Sequence, residues 1–278
     1  MLPEITIFGI TIELYNVWFI VGIIACLVFT IIAMKKSGYS SSASDTILII
    51  GILSIMIGLL SAILFQAFYN LIAGEGFVIK GMTFIGGLIG GVIAFIGLYF
   101  LYVYAINPHL KEGNFFKSDM NKGIWYLVRI APISITIAHG FGRLGCLFAG
   151  CCHGVETEEW YGIWNEYLGQ KTVPTQLYEA IFLFTLSAVM IILLFKIHFK
   201  HNMSLYLVSY GIWRFVIEYF RDDYRGDFIP GLSPSQFWSI VMFVGGVAFF
   251  FVYNYFDKKI TTKENEQTVK TEQKEKGA

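Results

Sequence analysis

The chain has 278 residues, of which 56% are hydrophobic and 17% aromatic, while only 14% are charged. This composition excludes a soluble domain, because such a domain would expose very large apolar patches to water. The formal net charge is zero, and since no basic stripe interrupts the apolar sequence, nucleic acid is excluded as an expected partner. The sequence therefore predicts an all-α integral membrane protein.

About seven stretches are long and apolar enough to cross the bilayer, which takes about 20 residues per helix. Lysines cluster in alternate loops between them, so the positive-inside rule places the N-terminus outside and the C-terminus in the cytoplasm. We expect one polytopic domain over residues 1–256 in the cell membrane, followed at 257–278 by a polar, disordered cytoplasmic tail. The predicted spans are Tyr15 to Met34, Thr46 to Asn70, Met82 to Ala105, Gly123 to His139, Leu177 to Ile197, Met203 to Phe220 and Gln236 to Phe256.

The third predicted helix opens with four glycines within six residues, at Gly86, Gly87, Gly90 and Gly91. Glycines in this arrangement remove the side chains from one patch of a helix and allow a second helix to approach its backbone. Close helix packing is therefore the simplest interpretation, and a groove that faces lipid is the alternative.

The segment from His139 to Gly154 concentrates the residues that can carry chemistry. Its five glycines predict an irregular or re-entrant stretch rather than a regular helix. Such a stretch must line a polar cavity, because lipid cannot bond to an exposed backbone. Arg143, which stands between Gly142 and Gly145, is expected to present its guanidinium together with backbone N–H groups to an anion.

Three of the four cysteines, Cys146, Cys151 and Cys152, fall within a stretch of seven residues inside this segment. They are too close together for a distributed disulfide framework. With His139 or His153 they are candidate zinc ligands, although their spacing does not match the usual zinc knuckles, and no metal site is assigned on this pattern. A disulfide on an oxidising outer face is a second interpretation. A reactive thiolate near the arginine and histidine of the segment is a third, and plain packing is a fourth.

The stretch from Pro174 to Glu179 leads into the fifth predicted helix and places Gln176, Tyr178 and Glu179 at the outer membrane boundary. The simplest interpretation is an aromatic anchor at the interface, accompanied by an acidic residue at the start of the helix.

The sixth predicted helix carries one polar stripe, formed by Tyr210, Arg214, Glu218 and Arg221 at spacings of three or four residues. A charge near the bilayer centre costs about 2.5 to 3.5 kcal/mol, so we expect the stripe to face the protein interior. It is either a salt-bridge ladder that fixes helix packing or a site for a phosphate or lipid headgroup, since arginine offers a planar fork to phosphate oxygens.

Taken together, these motifs resemble the phosphatidylglycerol–prolipoprotein diacylglyceryl transferase family. The matches follow one order along most of the chain, and four polar positions of the family pattern are changed. The matching residues are Tyr15, Phe68-Tyr69-Asn70, Gly86 to Gly90, Gly142-Arg143-Leu144-Gly145, Gly154, Pro174 to Glu179 and Tyr210 to Arg221. The changes are a histidine to Ile85, two asparagines to Cys146 and Ala149, and an acid to Cys151.

The resemblance implies a membrane enzyme, without a cofactor, that moves the diacylglyceryl group of phosphatidylglycerol to the cysteine thiol of a lipobox-bearing preprolipoprotein. Its site would face the extracytoplasmic side, and arginines would clamp the phosphate and neutralise the leaving group. Because Ile85 and Cys151 cannot accept a proton as the family residues do, the two histidines are the candidate bases. The implied catalytic residues are Arg143, His139, His153, Cys146, Cys151 and Arg214. The implied substrate-binding residues are Gly142, Gly145, Gly154, Tyr15, Gln176, Tyr178, Glu179, Tyr210, Glu218 and Arg221.

Two other functions follow from the changed positions. One is a related transferase that uses the same donor lipid on an acceptor other than a lipoprotein. The other is a non-catalytic membrane protein that binds lipid or senses redox state through its cysteines.

Overall fold

The fold is described by a computed structural model, which covers residues 3–8, 10–72, 74, 76–79, 81–114, 117–118, 123–222 and 231–276. Over these residues the chain is mainly helical, with two short antiparallel hairpins. The helices are α1 Leu14–Lys36, α2 Ser41–Ile72, α3 Phe84–Leu101, α4 Gly123–Phe148, α5 Thr175–Lys196, α6 Asn202–Ile217 and α7 Pro234–Lys276. The strands are β1 Glu4–Ile7, β2 Ile10–Glu13, β3 Ile163–Asn165 and β4 Gln170–Thr172. Three single turns are a π-helical turn Tyr102–Ile106 and the 3₁₀ turns Asn107–His109 and Glu218–Phe220.

The all-α multi-pass class predicted from the sequence is confirmed. Six helices in the described part of the chain are long and apolar enough to cross a membrane. The sixth predicted span corresponds to α6, which has 16 residues and therefore a length of about 24 Å, less than the ~30 Å hydrocarbon layer. The orientation of the two termini stays a prediction.

The chain forms two compact units, one of Met1–Cys26 with Trp125–Ala278 and the other of Leu27–Ile124. The single polytopic domain expected over residues 1–256 stays a prediction. The α7 helix runs to Lys276 and so passes through the stretch from 257 onwards that the sequence predicts as a disordered tail.

In the second unit, α2 and α3 pack closely through small residues, as the glycine pattern predicts. A methyl group on Gly58 of α2 would lie 3.0 Å from the carbonyl oxygen of Gly87 on α3, and one on Gly90 would overlap the side chain of Ser61. The Ser61 hydroxyl also donates to the Gly86 carbonyl at 2.9 Å. Small residues therefore bring the two backbones into contact and allow a hydrogen bond between the helices.

Gly90→Ala is expected to destabilise this unit by about 1 to 3 kcal/mol, the usual cost of inserting an atom into a well-packed contact. The added methyl group has no room, because it meets Ser61, which is held by its own hydrogen bond. Gly97→Ala on the same helix is the matched control, since a methyl group there meets no atom of the described residues within 4 Å and alanine favours a helix. Thermal unfolding in detergent measures the difference. Equal melting temperatures for the two variants would contradict the packing described here.

In the first unit, α4 is longer than predicted, and this corrects the expectation of an irregular segment from His139. The helix is regular to Phe148, and the chain leaves it only after that residue. Its glycines make room for neighbours: a methyl group on Gly140 would lie 2.8 Å from the Phe184 ring, and one on Gly145 would lie 3.2 Å from the Tyr15 ring. Close packing thus outweighs the low helix propensity of glycine, which costs about 1 kcal/mol per residue.

The same finding corrects the predicted anion site made from backbone N–H groups. Gly142 and Gly145 lie inside α4, where backbone N–H groups bond to carbonyl oxygens one turn earlier. Their amides are therefore used within the helix. Any anion near Arg143 must be bound by side chains.

Candidate functional site

A buried carboxylate, Glu179, stands at the meeting point of three helices. It belongs to α5 and is 0% exposed, while Arg143 and His139 reach it from α4 and Tyr210 from α6. The Tyr210 hydroxyl donates to Glu179 Oε1 at 2.6 Å, Arg143 Nε lies 3.0 Å from Oε2, and His139 Nε2 lies 4.0 Å from Oε1. Glu179 is therefore an interior charge, which corrects its interpretation as an acid at the membrane interface.

This arrangement explains how a carboxylate is kept in an apolar interior. A buried charge is costly unless it is paired and hydrogen-bonded, and Glu179 has both a guanidinium and a phenol as partners. The Tyr210 hydroxyl also lies 3.4 Å from His139 Nε2, and the two rings meet edge to face. The four side chains thus fix one another, and Arg143 is held by a group that the sequence places 36 residues away.

The salt-bridge ladder predicted on the sixth helix is confirmed for three of its four residues. Arg214 Nη2 lies 2.7 Å from Glu218 Oε2, and Arg221 Nε lies 3.8 Å from the same oxygen. Tyr210 does not take part in the ladder, because its hydroxyl donates to Glu179 on the neighbouring helix. The stripe is therefore divided between two ion-pair groups, Arg143–Glu179 and Arg214–Glu218–Arg221.

Two serines at the start of α7 complete the second group, and sequence reasoning missed both. Arg214 Nη2 donates to Ser235 Oγ at 2.7 Å, and Ser233 Oγ donates to Glu218 Oε1 at 2.8 Å. Ser233 also exchanges hydrogen bonds with Gln236, its hydroxyl accepting from the Gln236 amide and the Gln236 side chain accepting from the Ser233 amide. This is a capping box. The Ser-Pro-Ser-Gln sequence is a readable signal for the helix start, although not for the contact with α6.

Within the part of the chain that the structure describes, the site carries a surplus of positive charge. Three arginines, Arg143, Arg214 and Arg221, face two carboxylates, Glu179 and Glu218. Among the described residues, the buried Nη1 atom of Arg214 has no hydrogen-bond partner. An unsatisfied buried donor costs about 1 to 3 kcal/mol, so this atom is available to an acceptor that is not among the described residues. Arginine forks bind phosphate and carboxylate well, and the charge surplus favours such an anion.

The three clustered cysteines come together beside this site. Cys146 lies in the last turn of α4 and Cys151 and Cys152 in the loop that follows, and the three sulfur atoms lie within 4.8 Å of one another. No disulfide joins the cysteines that the structure describes. Hydrogen bonds from the Cys146 and Cys151 thiols, together with the Arg221 guanidinium, lower the pKa of the Cys152 thiol below its ordinary value. The cluster can therefore supply a thiolate.

Neither histidine belongs to this cluster, although both were candidate zinc ligands and bases. His139 lies beside Glu179 and Tyr210, and His153 Nδ1 lies 2.9 Å from the Gly154 carbonyl oxygen. The group of ligand-type side chains contains the three cysteines alone among the described residues. The zinc interpretation with a histidine ligand is therefore not supported by the geometry.

Of the other predicted contact residues, Gly154 and Gln176 border the cysteine loop. Gly154 is a point of close approach, because a methyl group there would lie 2.5 Å from the Phe220 carbonyl oxygen. Gln176 is fully buried and its amide donates to the Cys151 carbonyl, while Tyr15 packs against Gly145. Tyr178 lies in the first turn of α5 and is partly buried. The side chain of Ile85, which stands where the family has its histidine, lies outside the described residues.

Comparisons with known proteins support the motifs quoted above. The sequence profile of a family described as prolipoprotein diacylglyceryl transferase matches residues 3–252. The chain is 30% identical over 262 residues to the phosphatidylglycerol–prolipoprotein diacylglyceryl transferase of Clostridium tetani, covering 89% of this chain and 94% of that protein.

Two further relatives show the same relationship. The chain is 30% identical over 268 residues to the phosphatidylglycerol–prolipoprotein diacylglyceryl transferase 2 of Clostridium perfringens, covering 87% of this chain and 91% of the relative. It is 26% identical over 258 residues to the transferase of the same name from Dehalococcoides mccartyi, covering 87% and 89%. The similarity thus extends over nearly the whole length of each protein.

Proposed function

We propose, since the chain belongs to the prolipoprotein diacylglyceryl transferase family, that it moves the diacylglyceryl group of phosphatidylglycerol to a cysteine thiol of a preprolipoprotein. The named activity of its relatives supplies the donor and the acceptor class. The reaction forms a carbon–sulfur bond at the glyceryl carbon and breaks the carbon–oxygen bond to phosphate, so glycerol phosphate leaves. The enzyme must therefore hold a phosphate and stabilise the charge that develops on it.

The observation that carries this proposal is the surplus of arginine over carboxylate around Arg214, whose Nη1 atom has no hydrogen-bond partner among the described residues. Phosphatidylglycerol brings one phosphate charge, and a second charge develops as glycerol phosphate departs. Arg143 pairs with Glu179, and Tyr210, which donates to Glu179, lies one turn from Arg214 on α6, so we assign both arginines to one anion site. The unpartnered Nη1 of Arg214 is the donor that we assign to a phosphate oxygen, and Arg143 stabilises the leaving group.

Glu179 and Tyr210 are positioning residues in this scheme, because Glu179 pairs with Arg143 and Tyr210 donates to Glu179. Glu218 does the same for Arg214 and Arg221. Arginines held in place before the substrate arrives need no reorganisation during the reaction, which makes their charges more effective. We place the site on the extracytoplasmic side, a proposal that rests on the distribution of lysines among the loops.

A transferase with the same donor and an acceptor other than a lipoprotein is the second candidate. It is favoured by one observation, namely that cysteines occupy two polar positions of the family pattern, Cys146 and Cys151. The phosphate site would be unchanged, and the acceptor alone would differ. A non-catalytic lipid-binding or redox-sensing protein, the third candidate, would keep the same arginines without turning over the lipid.

The test is to express the protein in a bacterium that has been depleted of its own diacylglyceryl transferase. We expect lipoproteins to regain the diacylglyceryl modification, seen as a shift to the membrane fraction and as the modified N-terminal peptide by mass spectrometry. Arg143→Ala at the same expression level is the control. Consumption of phosphatidylglycerol without modified lipoproteins would favour the second candidate, and an unchanged lipid pool with correctly inserted protein would favour the third.

Arg214→Ala is expected to lower kcat/KM for lipid transfer by about 100-fold, the loss seen when one donor to a developing oxyanion is removed. Arg214→Lys should recover part of this loss, because it keeps the charge without the planar fork. The measurement is initial rate against phosphatidylglycerol concentration, with thermal unfolding of each variant beside it. Full activity of a folded Arg214→Ala protein would remove this residue from the phosphate site.

A further inference from the structure

The thiol cluster formed by Cys146, Cys151 and Cys152 lies beside the phosphate site, and the fold holds it in place. The three sulfur atoms lie within 4.8 Å of one another, with Cys151 exposed and the other two partly buried. The loop that carries two of them is fixed from outside the cluster. Its arrangement therefore does not depend on a bond between the cysteines.

Three successive carbonyl groups of the loop each accept a hydrogen bond from a buried side chain. Asn165 Nδ2 donates to the Gly150 carbonyl at 2.9 Å, Gln176 Nε2 donates to the carbonyl of Cys151 at 2.5 Å, and Thr175 Oγ1 donates to that of Cys152 at 2.9 Å. All three donors are 0% exposed. Such complete bonding of an irregular loop by surrounding side chains is typical of a preorganised site.

The backbone of Cys152 is strained in a way that brings the sulfur atoms together. Its φ angle is +61°, in the left-handed region that costs a residue other than glycine about 1 to 3 kcal/mol and persists only where the surroundings enforce it. In an extended chain, neighbouring side chains point to opposite sides. Here both members of the Cys151–Cys152 pair reach Cys146, and the loop holds this conformation through the hydrogen bonds described above.

The geometry fits a tetrahedral thiolate site. A zinc–sulfur bond of about 2.3 Å gives sulfur–sulfur separations of about 3.8 Å in a tetrahedron, so the observed cluster needs to close by about 1 Å at most. Three thiolates around one zinc ion carry a single negative charge. The Arg221 guanidinium, which hydrogen-bonds to Cys152, offsets this charge. No fourth histidine, cysteine or acid of the described chain joins the group.

We propose that Cys146, Cys151 and Cys152 bind one zinc ion whose open fourth position takes the acceptor cysteine as a thiolate. This inference rests on the proposed function and supplies a way to deprotonate the acceptor thiol, which the arginines of the phosphate site do not provide. Three protein ligands with one open position are the usual arrangement of a catalytic zinc site. The exposed side of Cys151 gives a peptide access, and metal coordination deprotonates a thiol outright, so a general base is not required.

The step balances without an oxidant or a reductant. The acceptor S–H bond breaks, its proton goes to water, and the sulfur occupies the fourth position. A sulfur electron pair then forms the bond to the glyceryl carbon of phosphatidylglycerol, while the electron pair of the carbon–oxygen bond goes to the phosphate oxygen held by the arginines. The product is a thioether, which is a weak ligand for zinc and leaves the site.

The test uses the full-length protein, purified with reductant in detergent and stripped of metal by a chelator. We expect wild type to bind one zinc ion per chain, and to bind cobalt with the sulfur charge-transfer and tetrahedral absorption bands of a thiolate site. Cys151→Ser should weaken zinc binding by at least about tenfold, the smallest loss caused by changes around metal ligands. Cys26→Ser, in α1 and outside the cluster, is the control and should bind like wild type.

Addition of a lipobox peptide to the cobalt form should change its absorption bands, and the same peptide with serine in place of cysteine should not. Wild-type protein that binds no metal would overturn the inference. A thiol titration that finds two of the three cysteines joined in a disulfide, even after treatment with reductant, would also overturn it. So would lipid transfer at the wild-type rate by metal-free protein, in which case the proposed function stands. If metal and peptide thiol bind but no lipid is transferred, the zinc site stands and the proposed function fails.

Discussion

Arg143→Ala is expected to lower kcat/KM for lipid transfer by about 1,000-fold, the largest change in activity that the site predicts. Removing one donor to a developing anion costs up to about 1,000-fold by itself. Here the same substitution also leaves the buried carboxylate of Glu179 without the guanidinium that lies 3.0 Å away. An uncompensated negative charge at the phosphate site opposes binding of the donor lipid as well as departure of glycerol phosphate.

The matched control for this variant is Arg129→Ala. Arg129 belongs to the same helix and its side chain is 21% exposed, compared with 17% for Arg143. It bonds to Tyr253 and lies 3.7 Å from Asp257 on α7, away from the phosphate site. We expect Arg129→Ala to lose stability but to change kcat/KM by no more than about threefold, because the residue makes none of the contacts at the phosphate site that would stabilise the transition state. Similar losses of activity in both variants would show that the effect of Arg143→Ala is structural.

Glu179→Ala is expected to lower the free energy of unfolding by about 3 to 5 kcal/mol, the cost of removing one partner of a buried ion pair. The carboxylate is 0% exposed, and its loss leaves Arg143 unpaired and the Tyr210 hydroxyl without its acceptor. Glu179→Gln should lose less, since an amide oxygen can still accept from Tyr210. Chemical unfolding in detergent, followed by tryptophan fluorescence, measures both variants.

A double variant separates stability from catalysis at this ion pair. Replacing both partners by apolar residues, in Arg143→Met with Glu179→Leu, removes the unpaired charge and is expected to recover most of the stability lost in Glu179→Ala. It should not recover lipid transfer, because the guanidinium is absent. A double variant as unstable as Glu179→Ala would show that the ion pair is not what Glu179 contributes to the fold.

The sequence predicts those features that depend on spacing along one helix. The Arg214–Glu218–Arg221 ladder follows from residues three and four apart, and the contact between α2 and α3 follows from glycines on one helix face. Both are local patterns, and the structure confirms both. The family motifs, which are longer, also identify the correct family.

Features that depend on packing between helices could not be predicted. Glycines within α4 suggested a break at His139, but neighbouring aromatic rings fill the space and keep the helix regular to Phe148. Tyr210 is in register with the ladder, yet it bonds to Glu179 on a different helix, and nothing in its spacing indicates that partner. Helix propensity is a weak signal, and tertiary contacts readily override it.

The cysteine cluster is an intermediate case. Its composition could be read from the sequence, but four interpretations remained because the directions of the side chains were unknown. These directions are set by the left-handed backbone of Cys152 and by three buried hydrogen-bond donors, Asn165, Thr175 and Gln176. Two of the donors stand more than 20 residues from the carbonyls they bond to. A cysteine is also not a residue type that indicates a left-handed backbone, so the conformation of Cys152 could not be read from the sequence.

The most direct test of lipid transfer to a thiol is the intact mass of the acceptor. Purified protein is incubated with phosphatidylglycerol of defined acyl chains and a lipobox peptide, and both the peptide mass and the released glycerol phosphate are measured. We expect the peptide to gain one diacylglyceryl group on its cysteine, with one glycerol phosphate released for each peptide modified. Release of glycerol phosphate without modified peptide, or an unmodified peptide beside intact phosphatidylglycerol, would contradict the proposed function.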